Sequence, residues 1–383
     1  MLSAARYSPL TKLWFEGPLS MPLGPCLPTP ALPLHPPPAP RTLPRMQVFT
    51  ADTHLLHQPQ WYIADGTVRP CPDHPARVDR IRNALQNAGN FDIAPPAEID
   101  PWPALRAIHA SDYLAYLQTI HTVWTAEFGS NVDVLPDTFP RVNPHAPCVR
   151  RPTKPAALAG YYCFDMAAPI TAGTYQAALD SARCALSAAD AVAQGYRAAY
   201  ALCRPPGHHA GPDYSGGFCY LNNAALAAQY LLLNGQHRIA LLDLDYHHGN
   251  GTQDIFYARN DVLFLSLHAD PNTQYPYFWG HADETGAGPG AGFNHNFPLP
   301  RGTSEAAWLA ALTQALAQIT AYHPDALVVS LGVDAAEHDT VGDFQLSLPG
   351  FRRAGEALAA LHLPTALIQE GGYNLEEIGR AHV

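Results

Sequence analysis

Helical and strand-like segments alternate along the chain from about residue 174 onward. Continuous apolar runs of strand length, typical of strands buried on both faces, occupy residues 198–203, 239–244, 262–267, 326–331 and 365–369. Between them, helical patterns occupy residues 174–194, 222–234, 304–322 and 350–361. This alternation predicts an α/β protein built on a parallel sheet.

A polar segment follows each of these predicted strands. In chain order the segments are residues 204–209, residues 245–248, His268, Asp334 and residues 371–373. The carboxyl ends of the strands in an open α/β sheet converge on one crevice, where ligands bind. We therefore expect distant parts of the chain to build a single site.

Two aspartates and a histidine at these strand ends suit a metal ion. Asp245 and His247 occupy alternate positions of an extended segment and so point the same way. With Asp334 they leave positions open for water and substrate, as catalytic metal sites do. Zn²⁺ is the leading candidate, while Fe²⁺, Co²⁺ and Mn²⁺ stay open because the ligands are rich in oxygen. The alternative, that each aspartate is a cap or turn residue, has to hold at several positions at once.

Adjacent imidazoles at His208 and His209 suit a reaction that takes a proton from water and gives one to a leaving group. Gly207 before them and residues 216–217 after them allow close backbone approach. Tyr373 follows two glycines, and we expect its hydroxyl to reach a polarised carbonyl opposite the metal. The alternatives are hydrogen-bonded core histidines and a buried tyrosine with one hydrogen bond.

Composition restricts the class of protein. The 383 residues are 47% hydrophobic and 14% charged, which excludes general disorder and predicts a soluble globular protein. No uncharged apolar run reaches the ~18 residues of a membrane span. A net charge of −11 leaves no basic surface for nucleic acid. The acidity favours a cationic substrate, although moderate negative charge more often serves only solubility.

The cysteines and the N-terminal segment bear on location and domain organisation. The 7 cysteines include no C-x-x-C pair, so they indicate neither a disulfide framework nor a cysteine zinc site. With no signal-peptide pattern, we expect a cytoplasmic protein. Residues 1–45 contain 12 of the 38 prolines and should form a disordered leader, ahead of a single catalytic domain at residues 46–383.

Four motifs resemble those of the histone deacetylase superfamily, in order and spacing. They are residues 204–210, 242–257, 328–334 and 370–373. Residues 160–174 are similar to the bacterial acetylpolyamine amidohydrolase branch in particular, and the resemblance runs from about Met46 to the end. It implies an arginase/deacetylase-like three-layer α/β fold with a central, mostly parallel β-sheet.

The resemblance also implies roles for individual residues. Asp245, His247 and Asp334 match the zinc ligands, His209 the general base, His208 its electrostatic or acid partner, and Tyr373 the hydrogen-bond donor to the acetyl oxygen. Asp243 and Asn250 match the partners of the two histidines. Phe218 and Tyr275 match the aromatic walls of a narrow tunnel, with Gly217 and Gly372 beside the substrate. Ser266 and Leu267, with Asp243, Asp245 and His247, match a structural K⁺ site.

Some positions depart from the family pattern or go beyond it. Asn250 replaces the aspartate of many eukaryotic deacetylases, which should lower the proton affinity of His209. Glu127, Asp133 and Asp165 are only positional candidates for binding the distal ammonium of a substrate.

Residues 121–174 correspond to an insertion that implies a homodimer over the mouth of the site. The chain stops at residues 379–383, where relatives continue into a further helix, so we expect weaker packing behind Tyr373.

The predicted function is therefore a zinc-dependent amidohydrolase that removes acetyl groups from N-acetylated polyamines or related small amines. A protein or peptide acetyl-lysine deacetylase is the alternative, because an acetylated lysine presents the same head to the tunnel. A non-catalytic acyl-amine binding protein is a more remote one. An arginase-like dimanganese enzyme shares the expected fold, but residues 204–209 and 371–373 argue against it.

Overall fold

The computed structural model describes residues 45–129, 132–141 and 149–383. Residues 45–383 form one compact unit. Residues 1–44 of the predicted leader lie outside the described residues, so the disorder of the leader stays a prediction.

A parallel sheet of eight strands forms the centre of the described part of the chain. Its spatial order is β4-β1-β5-β10-β9-β6-β7-β8, and every pairing in it is parallel. The strands are β1 (Met46–Phe49), β4 (Phe91–Ala94), β5 (Ala198–Ala201), β6 (Ile239–Asp243), β7 (Val262–Ala269), β8 (Asn294–Leu299), β9 (Ala326–Leu331) and β10 (Thr365–Gln369). A separate antiparallel hairpin consists of β2 (Trp61–Ala64) and β3 (Thr67–Pro70).

Helices cover both faces of the sheet. Successive residues of a strand point to opposite sides, so a strand that is apolar throughout has to be covered on both faces. The helices are α1 (Ala76–Ala88), α2 (Trp102–Ile108), α3 (Ser111–Phe128), α4 (Pro155–Tyr161), α5 (Thr174–Ala193), α6 (Asn223–Leu233), α7 (Asn250–Phe256), α8 (Glu305–Tyr322) and α9 (Leu348–Ala360). On β6, Leu241 packs in the core cluster of α2 to α6, and Leu242 packs in that of α8 and α9. Among the described residues, no helix is long and apolar enough to cross a bilayer.

The predicted elements recur with small shifts at their ends. Strands β9 and β10 have the predicted bounds, and the Asn222 side chain caps α6 by accepting a hydrogen bond from the Ala225 N–H at 2.9 Å. The sequence pattern missed β8, whose Asn294, His295 and Asn296 interrupt any apolar run. This strand lies at the sheet edge and is only partly buried, so it needs no continuous apolar sequence. The sheet is entirely rather than mostly parallel.

Candidate active site

The predicted polar segments follow five strands that are consecutive neighbours in the sheet, β5, β10, β9, β6 and β7. Because all five run parallel, the segments emerge at the same edge. The expected single crevice is therefore present.

Asp245, His247 and Asp334 meet at the centre of this edge, and each offers a ligand atom within 4.8 Å of the other two. The Nδ1 atom of His247 lies 3.2 Å from Asp245 Oδ1 and 3.1 Å from Asp334 Oδ2. Both carboxylates are buried. Two buried carboxylates and one imidazole are a donor set that neutralises and holds a divalent cation.

The backbone around these carboxylates is shaped to leave them space. The N–H of Gly371 donates to Asp245 Oδ2 at 2.8 Å, and the N–H of Tyr246 donates to Asp334 Oδ1 at 2.8 Å. A Cβ atom at Gly371 would lie 2.4 Å from Asp334 Oδ2, so only glycine fits there. Burial and the charge of Asp245 raise the pKa of Asp334, so a cation between the two carboxylates would be stabilising. The residues present therefore fit a metal ion.

His208 and His209 lie next to each other beside the candidate metal centre, with ring centroids 4.0 Å apart and ring planes inclined by 43°. Nδ1 of His208 lies 2.9 Å from Asp243 Oδ2, and Nδ1 of His209 lies 2.7 Å from Asn250 Oδ1. Since Asn250 presents its amide oxygen, Nδ1 of His209 carries the proton and Nε2 is left as an acceptor. The two histidines thus have a charged and a neutral partner respectively.

This difference in partners separates the pKa values of the two histidines. Burial alone lowers the pKa of His208, but the carboxylates of Asp243 and Asp245 raise it to about 10. Burial, followed by the charges of His208 and His247, lowers the pKa of His209 well below its ordinary value. At neutral pH the site therefore combines a cationic imidazole with a neutral one that can accept a proton.

A cavity of about 370 Å³ leads to these groups, and aromatic rings form much of its wall. The lining includes the predicted wall residues Phe218 and Tyr275, the predicted donor Tyr373, and Gly217. Burial raises the pKa of Tyr373 well above its ordinary value, so its hydroxyl stays protonated as a donor. Gly372 lies behind Tyr373 and turns its carbonyl towards Arg77.

Comparison with known proteins connects this geometry to a family. The sequence matches the family model described as histone deacetylase domain over residues 71–382. The chain belongs to the histone deacetylase family. This finding confirms the resemblance that the four motifs predicted.

Relatives within the histone deacetylase family confirm the branch as well. Acetylpolyamine amidohydrolase 1 of Pseudomonas aeruginosa is 49% identical, over 86% of this chain and 94% of its own length. The acetylpolyamine amidohydrolase of Mycoplana ramosa is 43% identical, over 87% of this chain and 96% of its own. A crystal structure of acetylpolyamine aminohydrolase from Burkholderia pseudomallei superposes with a TM-score of 0.82 at 41% identity, covering 88% of this chain and 97% of that one. The arginase/deacetylase-like fold is confirmed.

The three acidic candidates for ammonium binding lie in different surroundings. Glu127 lies 3.5 Å from Lys154 in a largely exposed ion pair, and neither it nor Asp133 lines the described cavity. Asp165 does line it, but its carboxylate already accepts from the Tyr275 hydroxyl at 2.7 Å, the Gly217 N–H at 2.9 Å and the Ala167 N–H at 2.9 Å. In this deacetylase Asp165 therefore holds two tunnel walls together.

The predicted K⁺ residues lie on strands β6 and β7 of the deacetylase fold and in the segment that follows β6. Ser266 of β7 pairs in register with Asp243 of β6, and Leu267 follows it in the buried sheet. The Ser266 hydroxyl lies 2.8 Å from Nδ1 of His268. A K⁺ ion at these residues stays a prediction.

Sequence reasoning missed Arg77, which lies on α1. This residue contacts residues 370–374 after β10, the tyrosine loop. Its Nε donates to the Gly372 carbonyl and a terminal nitrogen to the Glu370 carbonyl, both at 2.6 Å. Its guanidinium lies 4.7 Å from the centre of the Tyr373 ring and pairs with buried Asp73. An arginine on the buried face of α1, among apolar residues, was the available signal.

We expect Arg77→Met to lower the free energy of unfolding by about 3–5 kcal/mol, because it breaks a buried ion pair and removes the donor to the Gly372 carbonyl. The Glu370 carbonyl also loses a donor but still accepts from the Gln369 side chain at 3.1 Å. Denaturant unfolding of the purified protein measures this loss. Arg80→Met on the exposed side of the same helix is the matched control. An Arg77→Met variant with the stability of the control would contradict the assignment.

Proposed function

We propose that this protein is a zinc-dependent amidohydrolase that removes acetyl groups from N-acetylated polyamines. One observation carries the proposal: a neutral and a cationic histidine, a three-ligand metal centre and a protonated tyrosine meet at the end of one aromatic-walled cavity. The membership in the histone deacetylase family supports amide hydrolysis as the reaction.

Asp245, His247 and Asp334 would hold the Zn²⁺ ion. A divalent ion there supplies Lewis acidity to a carbonyl oxygen and lowers the pKa of nearby water. Two carboxylates match its double charge, and the imidazole favours zinc over magnesium or calcium. Asp243 is not one of these ligands, because its carboxylate lies 2.9 Å from His208 and raises the pKa of that imidazole.

The two histidines have different roles, since His209 transfers the protons and His208 stabilises charge. Nε2 of His209 accepts the proton of the attacking water, because the hydrogen bond from Nδ1 to Asn250 fixes the tautomer. The charge of His208, held by Asp243, stabilises the developing negative charge beside it. Once protonated, His209 returns the proton to the departing amine.

Tyr373 stabilises the acetyl oxygen. Tyr373 lines the same cavity as His209 and His247, which makes its hydroxyl the proposed donor. Its hydrogen bond to the acetyl oxygen would strengthen as negative charge builds on that oxygen. Phe218 and Tyr275 enclose the chain of the substrate and exclude water from the reacting group.

The relatives support small acetylated amines as the substrate class, since several are named acetylpolyamine amidohydrolases at 43–49% identity. The net charge of −11 adds attraction for cationic molecules. The half-buried carboxylate of Asp165 in the cavity wall adds a further acidic group.

Acetate release from N-acetylputrescine tests the proposal. We expect turnover with zinc-loaded protein, its loss on treatment with a chelator, and its return when zinc is added back. Turnover that survives complete metal removal, or no turnover by the reloaded protein on any acetylated amine, would overturn the proposed function.

We also propose that the protein is a homodimer assembled through residues 121–174. Large apolar side chains are exposed in the described parts of this segment, namely Val123, Phe128, Val132, Phe139 and Val149. Phe139 also lines the active-site cavity, so a partner covering this surface would narrow the entrance. Exposed apolar patches of this kind mark interaction surfaces.

The double variant Val132→Glu, Val149→Glu should convert the dimer to a monomer, because it places charges in an apolar interface. Light scattering coupled to size exclusion measures the mass. Leu233→Glu is the control, since Leu233 is 53% exposed at the end of α6, outside this segment. A monomeric wild-type protein with normal substrate selectivity would count against the dimer.

A further inference from the structure

Asp339 lies in the loop between β9 and α9, outside every motif that the sequence pattern singled out. Its side chain makes contact with the loop that follows β10 and carries Tyr373. Oδ2 accepts hydrogen bonds from the N–H of Tyr373 at 2.7 Å and from the N–H of Asn374 at 3.1 Å. Oδ1 accepts from the N–H of Val341 at 2.9 Å. One carboxylate thus joins the loops that carry Val341 and Tyr373.

The carbonyl and the N–H of one peptide group are hydrogen-bonded to side chains of opposite charge. The peptide between Gly372 and Tyr373 has its carbonyl on the guanidinium of Arg77, at 2.6 Å, and its N–H on the carboxylate of Asp339, at 2.7 Å. Hydrogen bonds to charged groups are roughly twice as strong as neutral ones. The plane of this peptide, and with it the direction of the Tyr373 side chain, is therefore fixed from both sides.

Backbone conformation makes this restraint necessary. Gly372 has φ of +119°, a region open to glycine but with little intrinsic preference for one orientation of the following peptide. The bonds to Arg77 and Asp339 are the hydrogen bonds that this peptide makes, and a rotation of the peptide would displace the Tyr373 hydroxyl. Stacking on Arg77 restrains the ring but leaves the N–H side open.

The same carboxylate also holds Val341, another residue of the cavity wall. Val341 lines the cavity and packs in the cluster of Phe218, Tyr373 and Ala167. A second contact, from the Asn374 side-chain amide to the His338 carbonyl at 2.8 Å, joins the same two loops. The Asp339 carboxylate thus fixes the position of Val341 in the cavity wall relative to Tyr373.

We propose that Asp339 is a positioning residue for deacetylation, which fixes the Tyr373 hydroxyl by holding the N–H of its peptide while Arg77 holds the carbonyl. The inference rests on the proposed function. A misplacement of about 1 Å at a reacting centre costs on the order of 100-fold in rate. Asp339→Ala should therefore lower kcat by about 10- to 100-fold and leave KM within about 3-fold, because the lost contact acts on the transition state.

A double-mutant cycle with Tyr373→Phe separates positioning from general damage. If Asp339 acts through the Tyr373 hydroxyl, Asp339→Ala should cost less than about 3-fold in kcat once that hydroxyl is gone. Asp339→Asn keeps one oxygen that can face the Tyr373 N–H and should recover most of the kcat lost in Asp339→Ala. Glu337→Ala, an exposed acid on the same loop, is the control that should change nothing.

Hydrogen exchange supplies a measurement that does not depend on turnover. In the metal-loaded protein, Asp339→Ala should accelerate exchange of the Tyr373 and Asn374 amides, while the amides of α7 keep wild-type rates. Equal kcat losses from Asp339→Ala in the wild type and in the Tyr373→Phe variant, or unchanged exchange at Tyr373, would overturn the inference while an active wild type upholds the proposed function. A wild type without deacetylase turnover would overturn both.

Discussion

The Asp245→Ala and Asp334→Ala variants are expected to lose bound metal and turnover together. Each substitution removes one of two buried carboxylates that meet His247 at 3.2 and 3.1 Å, so the remaining pair of ligands cannot neutralise a divalent ion. The several kcal/mol of stabilisation that the metal gives correspond to a fall in kcat on the order of 1000-fold or more. Elemental analysis after dialysis and steady-state kinetics measure the two losses.

Thermal melting adds a test that does not require activity. Metal that binds only the folded protein raises its melting temperature by mass action, so zinc should stabilise the wild type and leave both variants unchanged. Asp343→Asn, in the loop after Asp334 and bonded to the Tyr246 hydroxyl at 2.7 Å, is a matched control. An Asp245→Ala protein that retains a full metal complement would show that this residue is not a ligand.

Tyr373→Phe should keep its metal and lose about 100- to 1000-fold in kcat, with a much smaller change in KM. The substitution removes only the hydroxyl, and the hydrogen bond that it makes strengthens as charge develops on the acetyl oxygen. The phenylalanine ring retains the packing over Arg77, 4.7 Å away, so the loop should stay in place. Metal content and steady-state kinetics, compared with those of the Asp245→Ala variant, separate oxyanion stabilisation from metal binding.

A Tyr373→Phe variant with near wild-type kcat and a full metal complement would contradict the role given to Tyr373. Tyr275→Phe is the matched control, because it removes a hydroxyl from the same cavity that is already bonded to Asp165 at 2.7 Å. We expect it to retain most of the kcat, since Tyr275 forms a wall and makes no bond to the acetyl oxygen.

The sequence predicts those parts of the fold in which burial leaves a pattern. Strands β9 and β10 are buried on both faces and appear as uninterrupted apolar runs with the predicted bounds. The edge strand β8 carries polar residues, because only part of it is buried, and no periodicity identifies it. The convergence of the polar segments is predictable from the parallel α/β pattern alone, because the carboxyl ends of parallel strands lie at the same edge of the sheet.

Residues that position the active site through the backbone are a different case. Arg77 and Asp339 hold the carbonyl and the N–H of one peptide, although they lie far apart in the sequence. Backbone groups are the same at almost every position, so the sequence does not show which carbonyl or N–H a buried arginine or aspartate contacts. Asp165 was placed among the ammonium candidates by position, and only its three hydrogen bonds in the structure show that it holds tunnel walls.

The relative kcat/KM values of the metal-loaded wild type for acetylputrescine, acetylcadaverine, acetylspermidine and an acetyl-lysine peptide test the central claim most directly. We expect the acetylated amines to exceed the peptide by at least about tenfold, a difference of ~1.4 kcal/mol in transition-state binding. A peptide hydrolysed as efficiently as the best acetylated amine would contradict the account and make this protein an acetyl-lysine deacetylase.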